Sequence, residues 1–408
     1  MTRLYDLQNF CRAHADWLIE TIESLVRIES PSDDKAAVDR CGAELTARLR
    51  AIGGAVTLLP QRERGDHLRA EFHVVPANRR RQGSGESRRS SPDLQRAEAE
   101  AGPHVPTILL LGHFDTVWPI GTLDRMPVVH TNGRLHGPGV FDMKAGIGLA
   151  MLATRALLET AAPVARRIVM LWTTDEEVGS ATSRAVIEDE ARKSDAVLVL
   201  EPSLPGGAVK TARKGVGEYE LHLHGIPAHA GIDPSKGASA IHELARQILR
   251  LEELHDLERG VSVTVGRVSG GTRTNVVAED ARAVIDVRAT TGADAVRLDA
   301  ALRRLAPVDP RTTLTISGGI DRPPLERTEQ VIRLYQKARA VASELGQMLE
   351  EGSTGGGSDG NFTAAIGVST LDGLGAVGDG AHALHEHVEV SLLPDRAALV
   401  AGLIASVQ

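Results

Sequence analysis

Three consecutive carboxylates, Asp175, Glu176 and Glu177, directly follow the apolar run at 168–172 and its two threonines. An apolar run before a polar corner predicts a buried strand that ends at a helix start, where ligands bind in open α/β sheets. Carboxylates this close repel one another, so a positive charge is expected beside them, and a metal ion is the simplest source. For this stretch alone, the alternative is a solvated acidic first turn of a helix.

Further metal-type ligands lie at other predicted strand ends. They are His113, Asp142 and Glu201, and a histidine-rich loop at 382–387 follows the last predicted strand. Each has an ordinary structural interpretation when taken singly: a core pair of His113 with Asp115, a helix N-cap at Asp142, a solvated strand end at Glu201. Their coincidence favours a common site, because one crevice collects the carboxyl ends of parallel strands.

The length of 408 residues predicts two domains, and the composition is that of an ordinary soluble protein. The formal net charge is −8 and no basic field dominates, which argues against nucleic-acid and membrane partners. With only Cys11 and Cys41, neither a disulfide framework nor a thiolate metal site is expected. The first six residues lack the apolar core of a signal peptide, so a cytoplasmic location is expected.

The first predicted domain comprises residues 1–211 and 323–408, in which strands alternate with helices. This order predicts an α/β fold: a mainly parallel mixed sheet sandwiched by helices. Residues 76–106 are rich in arginine and poor in large apolar residues, which indicates a polar loop insertion. A basic tether for an anionic partner is the alternative for that loop. The predicted elements are helices at 6–29, 35–52, 145–158, 180–193 and 329–345 and after Pro394, with strands at 55–60, 68–75, 107–111, 168–172, 196–200 and 368–371.

The second predicted domain, at 212–322, has a different rhythm. Its strands are long and alternating, in the order β-α-β-β-α-β, which predicts an inserted antiparallel domain of ferredoxin-like α+β type. The predicted elements are strands at 217–224, 261–268, 274–277, 281–288 and 312–317 and helices at 242–254 and 292–305.

An ordered set of motifs resembles the di-zinc aminoacylase and carboxypeptidase family of metallopeptidases, in particular its glutamate carboxypeptidase (carboxypeptidase G-like) branch. The motifs occur in family order and spacing over nearly the whole chain, and no single motif is decisive. They are His113-Phe114-Asp115-Thr116-Val117, Gly137-Pro138-Gly139 through Asp142-Met143-Lys144, Asp175-Glu176-Glu177-Val178-Gly179-Ser180, Glu201-Pro202, His229-Ala230-Gly231 and Gly270-Gly271-Thr272-Arg273-Thr274-Asn275-Val276-Val277.

The resemblance implies two zinc ions per subunit, with Co²⁺ or Mn²⁺ able to substitute, and Asp142 as the carboxylate that bridges them. His113 and Glu201 complete one ligand shell; Glu177 and His382 complete the other, with His385 as the fallback for the last ligand. Glu176 is implied as the general base that activates a metal-bridging hydroxide. Asp115 is implied to accept the second ring proton of His113. A cis peptide bond at Asp142-Met143 is also implied.

For the inserted domain, the resemblance implies homodimerisation through 212–322. His229 would then reach the partner subunit's site and stabilise the oxyanion, although taken alone it is a turn histidine. Asn275, Arg288, Arg322 and Gly357 match substrate-contacting positions. Arg288 suits a carboxylate clamp or, alternatively, a solvated strand edge. Gly357 lies in a glycine-rich loop at 355–360, whose backbone amides could approach a ligand closely, and a plain mobile loop is the equal alternative.

The expected function is zinc-dependent hydrolysis of the amide bond to a C-terminal amino acid, with glutamate favoured by the branch resemblance. The expected substrate is a small peptide or an N-acyl amino acid. An N-acyl-amino-acid deacylase, or less readily a desuccinylase, uses the same metal chemistry and is the alternative enzyme. A catalytically inactive binding or scaffold relative is the alternative of another class.

Overall fold

The structure is a computed structural model that describes residues 2–75, 105–160 and 165–407. The arginine-rich insertion predicted at 76–106 therefore lies outside the described residues, except for its last two positions. The chain divides into two compact units. The first comprises Met1–Thr211, Arg327–Gly352 and Phe362–Gln408, and the second comprises Ala212–Glu326 and Ser353–Asn361. The second unit thus extends beyond the predicted 212–322 and includes the glycine-rich loop, which was predicted as part of the first domain.

The secondary structure follows the predicted order with local differences. The strands are β1 (Ala55–Leu59), β2 (His67–Val74), β3 (Thr107–His113), β4 (Val129–Thr131), β5 (Arg134–His136), β6 (Arg166–Thr173), β7 (Ala196–Val199), β8 (Val209–Arg213), β9 (Gly215–His224), β10 (Ser262–Gly270), β11 (Asp280–Ala289), β12 (Thr313–Arg322), β13 (Glu351–Thr354), β14 (Thr370–Leu371), β15 (Gly378–Asp379) and β16 (His387–Glu389). The helices are α1 (Thr2–Ala13), α2 (Ala15–Val26), α3 (Lys35–Ala51), α4 (Ala145–Glu159), α5 (Arg184–Arg192), α6 (Ala240–Glu252), α7 (Gly292–Arg303), α8 (Glu329–Glu344), α9 (Gly360–Ala365) and α10 (Leu393–Ser406).

The main sheet of the first unit has the strand order β1-β2-β6-β3-β7-β14. The pairs β6–β3, β3–β7 and β7–β14 are parallel, and β1–β2 and β2–β6 are antiparallel. This confirms the predicted mainly parallel mixed sheet. Because the centre of the sheet is parallel, the carboxyl ends of β3, β6 and β7 lie at one edge. His113 ends β3 there, the acidic residues at 175–177 follow β6, and Glu201 follows β7.

Both faces of this sheet are covered, as the apolar character of its strands predicts. On one face Ile108, Leu110 and Met170 belong to a core shared with α1, α2, α4 and α10. On the other face Leu109 and Leu171 pack in a smaller cluster with residues of α5 and α9. The sandwich of helices around the sheet is therefore confirmed.

Two helix predictions differ from the structure. The helix predicted at 6–29 is two helices that meet at His14, which has a non-helical backbone before α2. The helix predicted from 180 begins only at Arg184, because Glu176–Val178 forms a separate 3₁₀ turn that ends at Gly179 in the left-handed region. Where caps are present they fit the sequence: the Asp34 carboxylate, for example, accepts a hydrogen bond from the Ala37 amide at the start of α3.

The second unit contains an antiparallel sheet with the strand order β10-β11-β9-β12. With α6 and α7 this gives the predicted β-α-β-β-α-β arrangement, and the order of the strands is that of a ferredoxin-like fold. The strand predicted at 274–277 is wrong. Gly271 takes a left-handed φ of 72° just after β10, and the chain then runs through a turn with a single isolated bridge between Val276 and His229.

Among the described residues, no helix combines the length and the apolar character needed to cross a lipid bilayer.

A buried arginine fixes the loop that follows β14. The Arg396 guanidinium, on α10, donates to the carbonyls of Gly207, Gly373 and Gly375. Burial lowers the pKa of Arg396 to about 10. The Gly375 amide in turn donates to the Glu201 carbonyl at 2.9 Å. The guanidinium therefore stabilises the backbone beside one of the candidate ligands.

We expect Arg396→Met to lower the free energy of unfolding by about 3 kcal/mol or more, because buried carbonyls lose their charged donor. The urea midpoint measures this. Arg27→Met is the matched control: Arg27 is exposed and pairs with Glu23 at the surface, so its loss should cost less than about 1 kcal/mol. Equal midpoints for the two variants would contradict the structural role of Arg396.

Candidate metal centre

Two clusters of potential ligands share one carboxylate. In the first cluster, the His113 Nε2 atom lies 3.4 Å from Asp142 Oδ1 and 3.4 Å from Glu201 Oε1. In the second, the His382 Nε2 atom lies 3.4 Å from Asp142 Oδ2 and 3.2 Å from Glu177 Oε2. Within each cluster the ligand atoms lie within 4.8 Å of one another. The two oxygens of Asp142 thus face two different groups of ligands.

Each of these residues lies at or near the end or the start of a secondary-structure element. His113 is the last residue of β3, Glu201 follows β7, and Glu177 lies in the 3₁₀ turn after β6. Asp142 lies in a non-helical break just before α4. His382 lies in the loop after β15 with a left-handed φ of 61°, an uncommon conformation for a residue other than glycine.

The clusters are electrostatically interdependent. Burial disfavours a charged His113 ring, but the surrounding carboxylates outweigh it and raise the pKa of His113 well above its usual value. Hydrogen bonds to Asp142 and Glu177 raise the pKa of His382 to about 10. Burial acts to raise the pKa of Asp142, yet the two imidazoles hold it below its usual range. Positive charge is therefore strongly favoured at both clusters.

The residues present fit a divalent cation at each cluster. Asp142 Oδ1 and Glu177 Oε1 are buried and have no hydrogen-bond partner among the described residues. Such an orphaned carboxylate oxygen is costly unless a cation or donor satisfies it. Burial also raises the pKa of Glu177, the result expected when a carboxylate is desolvated without sufficient compensation. Carboxylate and imidazole ligands suit zinc and similar divalent metals.

Asp115 fixes the orientation of the His113 ring at the Nδ1 atom. Its Nδ1 atom lies 3.0 Å from the Asp115 backbone carbonyl and 3.4 Å from Asp115 Oδ1. The other oxygen of Asp115 accepts from the Ser32 hydroxyl at 2.7 Å and from the Glu177 amide at 3.3 Å. The backbone carbonyl is thus the nearer acceptor for the His113 ring. The Asp115 carboxylate connects the His113 strand end to the acidic turn.

Glu386 positions the shared carboxylate, and it is not among the predicted site residues. Its Oε1 atom accepts from the amides of Phe141 and Asp142, and its Oε2 atom accepts from the Gly139 amide and the Trp118 indole. Burial raises the pKa of Glu386 to about 7 against the opposing effect of these donors. The only sequence feature that points to Glu386 is its acidic side chain beside the histidines of the C-terminal loop. Its partners are about 245 residues away in the chain.

Lys144 also fixes the segment that contains Asp142. Its buried amine donates to the carbonyls of Leu25 and Ile28 at the end of α2. The Asp142–Met143 peptide bond is cis, as the resemblance implies.

Gly146, near the start of α4, lies very close to the end of β7. A Cβ atom at Gly146 would lie only 2.1 Å from the Leu200 carbonyl oxygen. Only glycine therefore allows α4 to start this close to the end of β7.

The remaining predicted site residues of the first unit are near these clusters in the chain. Glu176 is half-buried and starts the 3₁₀ turn that also carries Glu177. His385 is exposed, and neither cluster includes it; the histidine found with Asp142 and Glu177 is His382.

Five predicted residues lie in the second unit. His229 and Asn275 are exposed in loops that meet at one bridge, where the Ala230 amide donates to the Asn275 carbonyl. The Arg288 guanidinium is held by Asp286 at 2.6 Å and also donates to the Gly355 carbonyl. Arg322 is buried and pairs with Asp359 at 2.8 Å.

The fifth residue, Gly357, packs closely against Arg322. A Cβ atom at Gly357 would lie 2.8 Å from the Arg322 side chain. The Gly357 carbonyl accepts from the Arg213 guanidinium at 3.0 Å. Both arginines predicted for substrate contact therefore already have partners within their own unit.

Known proteins resemble the chain over most of its length. Carboxypeptidase G2 from Pseudomonas sp. (strain RS-16) is 28% identical over 395 residues, covering 95% of this chain and 88% of that protein. Succinyl-diaminopimelate desuccinylase from Leptothrix cholodnii is 28% identical over 401 residues, covering 92% of this chain and 94% of the desuccinylase.

The fold is also similar to solved structures. The crystal structure of aminopeptidase PepT from Bacillus cereus matches with a TM-score of 0.75 at 22% identity, covering 96% of this chain and 98% of that chain. The profile of Peptidase family M20/M25/M40 matches residues 109–406, a segment that contains every member of both ligand clusters. The chain belongs to peptidase family M20/M25/M40.

Proposed function

We propose that the protein is a zinc-dependent hydrolase that cleaves the amide bond to a C-terminal amino acid. The observation that carries this proposal is Asp142, whose two oxygens face two separate groups of ligands. Asp142 would be shared by two zinc ions, with His113 and Glu201 completing one ligand set and Glu177 and His382 the other. Bound there, the ions would supply Lewis-acid chemistry, which lowers the pKa of a water molecule and polarises the scissile carbonyl.

The protein's own part in the reaction is proton transfer and positioning. Glu176 would take a proton from the attacking water and return it to the nitrogen of the leaving amino group as the C–N bond breaks. It directly precedes the ligand Glu177 in the same 3₁₀ turn, and its side chain is only half-buried, so it can reach substrate. Asp115 would fix the His113 ring and the acidic turn relative to each other.

Glutamate is the proposed leaving amino acid, and the similarity to carboxypeptidase G2 supports the carboxypeptidase reaction. A second candidate is hydrolysis of an N-acyl amino acid or a succinyl amide, which the similarity to the desuccinylases favours. Both candidates break an amide with the same groups, so the difference lies only in what flanks the bond.

With metal-replete protein and a panel of N-acyl amino acids, dipeptides and succinylated diamino acids, we expect preferential release of free glutamate. Measuring free amino acid and zinc in the same sample separates the outcomes. Two zinc ions per chain with preference for another amino acid would retain the hydrolase proposal and contradict the glutamate assignment. Two zinc ions without turnover of any substrate would contradict the hydrolase and favour a binding protein.

We expect Glu176→Gln to retain two zinc ions and the fold while kcat falls by about three orders of magnitude or more, because the amide cannot accept the proton. Asp142→Asn is the contrasting variant and should lose zinc from both ligand sets. Asp189→Asn is the neutral control, since Asp189 is exposed and pairs with Lys193 on the surface. Zinc analysis and kcat on one substrate provide the readouts. Near-normal turnover of Glu176→Gln would eliminate Glu176 as the base.

We also propose that the protein is a homodimer through the second unit, with His229 acting in the site of the other subunit. His229 is exposed in this chain, and the amide of Gly231 donates to its Nδ1 atom, which leaves the other ring nitrogen available as a donor. A histidine so oriented could stabilise the oxyanion of the tetrahedral intermediate.

A mixed dimer tests this sharing. Homodimers of His229→Ala and of Glu176→Gln should each be nearly inactive. A dimer with one chain of each kind should recover about half of the wild-type activity, because one of its two sites then has both residues. Tagged co-expression and purification give the mixed species, and its mass verifies the dimer. A mixed dimer as inactive as its parents would indicate that His229 does not act across the interface.

A further inference from the structure

The backbone amide of His113 donates to a sulfur atom. Its nitrogen lies 3.3 Å from Met143 Sδ, and both residues are buried. A thioether is a weak hydrogen-bond acceptor, but a buried amide without any acceptor is costly. Met143 directly follows Asp142, the carboxylate that the two clusters share. The bond therefore joins the strand end that carries one candidate ligand to the segment that carries another.

The end of the β3–β7 pairing explains why a side chain serves as the acceptor. The register between these strands ends at Leu111 on β3, so the His113 amide lies beyond the paired part of β7. The next amide, that of Phe114, donates to the Thr173 carbonyl on β6. Successive amides of a strand point to opposite edges, so the His113 amide points away from β6. The thioether supplies an acceptor on the side where the strand pairing has ended.

Two glycines leave room for the Met143 side chain. A Cβ atom at Gly112 would lie 2.2 Å from Met143 Cε and 2.7 Å from Met143 Sδ, closer than side-chain atoms can pack. A Cβ atom at Gly146 would lie 3.1 Å from the same methyl group. A methionine side chain is flexible, and close packing of this kind is what holds its sulfur in one place. The fold thus places the sulfur against the His113 amide.

We propose that Met143 is a positioning residue for the first cluster, in which its thioether fixes the backbone of His113 relative to Asp142. Asp115 contacts the Nδ1 side of the His113 ring, and the thioether restrains the main chain of the same residue. The thioether accepts this bond without adding a charge to a cluster that is crowded with carboxylates. Its effect on zinc binding rests on the proposed function, whereas the hydrogen bond itself does not.

The hydrogen bond is tested on metal-free protein by ¹H–¹⁵N NMR with labelled histidine, and His113→Gln assigns the His113 amide signal. Norleucine, which has a methylene group in place of the sulfur, replaces methionine in the wild type and in Met143→Leu. In the wild type we expect norleucine to shift the His113 amide proton upfield and to speed its hydrogen exchange about tenfold or more. In Met143→Leu it should change neither. No response in the wild type, or the same response in both proteins, would overturn the bond.

The positioning role is tested by stepwise zinc binding. We expect Met143→Leu to weaken one of the two zinc sites about 10- to 100-fold and the other much less, because the sulfur bonds only the residue that carries a ligand of the first cluster. Met151→Leu is the matched control, since Met151 is also fully buried in α4 and should leave both affinities unchanged. Norleucine-labelled wild type should reproduce the weakened site, which keeps the test valid if Met143→Leu fails to fold.

The outcomes separate this inference from the proposed function. Equal weakening of both zinc sites, or equal affinities in Met143→Leu and Met151→Leu, would refute the positioning role. Wild-type protein that binds no zinc would contradict the proposed metal centre, and the amide signal of His113 would still decide whether the bond exists. Two zinc ions without turnover would contradict the hydrolase, and both measurements on Met143 would keep their meaning.

Discussion

Repulsion among carboxylates is the constraint on which the first unit depends. Asp115, Asp142, Glu177 and Glu201 converge on the two imidazoles of His113 and His382. The carboxylates favour the protonated form of both rings, which is why the pKa values of both histidines are raised. The same crowding makes the site strongly selective for positive charge. Whatever binds there must bring enough charge to replace those protons.

Holding like charges together requires a rigid backbone, and the surrounding structure provides it with hydrogen bonds rather than with apolar packing alone. Backbone amides around Asp142 are held by Glu386, and the Asp175 carboxylate holds the end of the acidic turn through Thr182. The loop beside Glu201 is held by the Arg396 guanidinium. Glu386, Asp175 and Arg396 each bond backbone groups, so these bonds do not occupy the candidate ligand carboxylates. The buried charges of Glu386 and Arg396 are tolerated because both oxygens of Glu386 accept hydrogen bonds and the Arg396 guanidinium donates to three carbonyls.

The sequence predicted what depends on local pattern. The alternation of apolar strands and helices indicated the parallel centre of the sheet, and therefore the convergence of His113, Glu201 and the acidic corner at one edge. Patterns of this kind do not encode how Gly271 turns the chain, so the sequence predicts a strand at 274–277 where the structure has a turn. The predicted helix start at 180 is too early for a similar reason, since Gly179 closes a short turn before α5 begins.

The supporting residues were beyond prediction for a different reason. Glu386 and Arg396 have their partners far away in the chain, and the only local feature that each shows is a charge in an otherwise ordinary segment. A ligand can be inferred from its type and its position at a strand end, because the metal requires both. A supporting side chain can be of any type that satisfies the backbone groups it meets, so its identity follows from the folded geometry. This difference explains why the sequence can indicate the candidate ligands of a centre. The residues that make the centre rigid can be identified only in the folded structure.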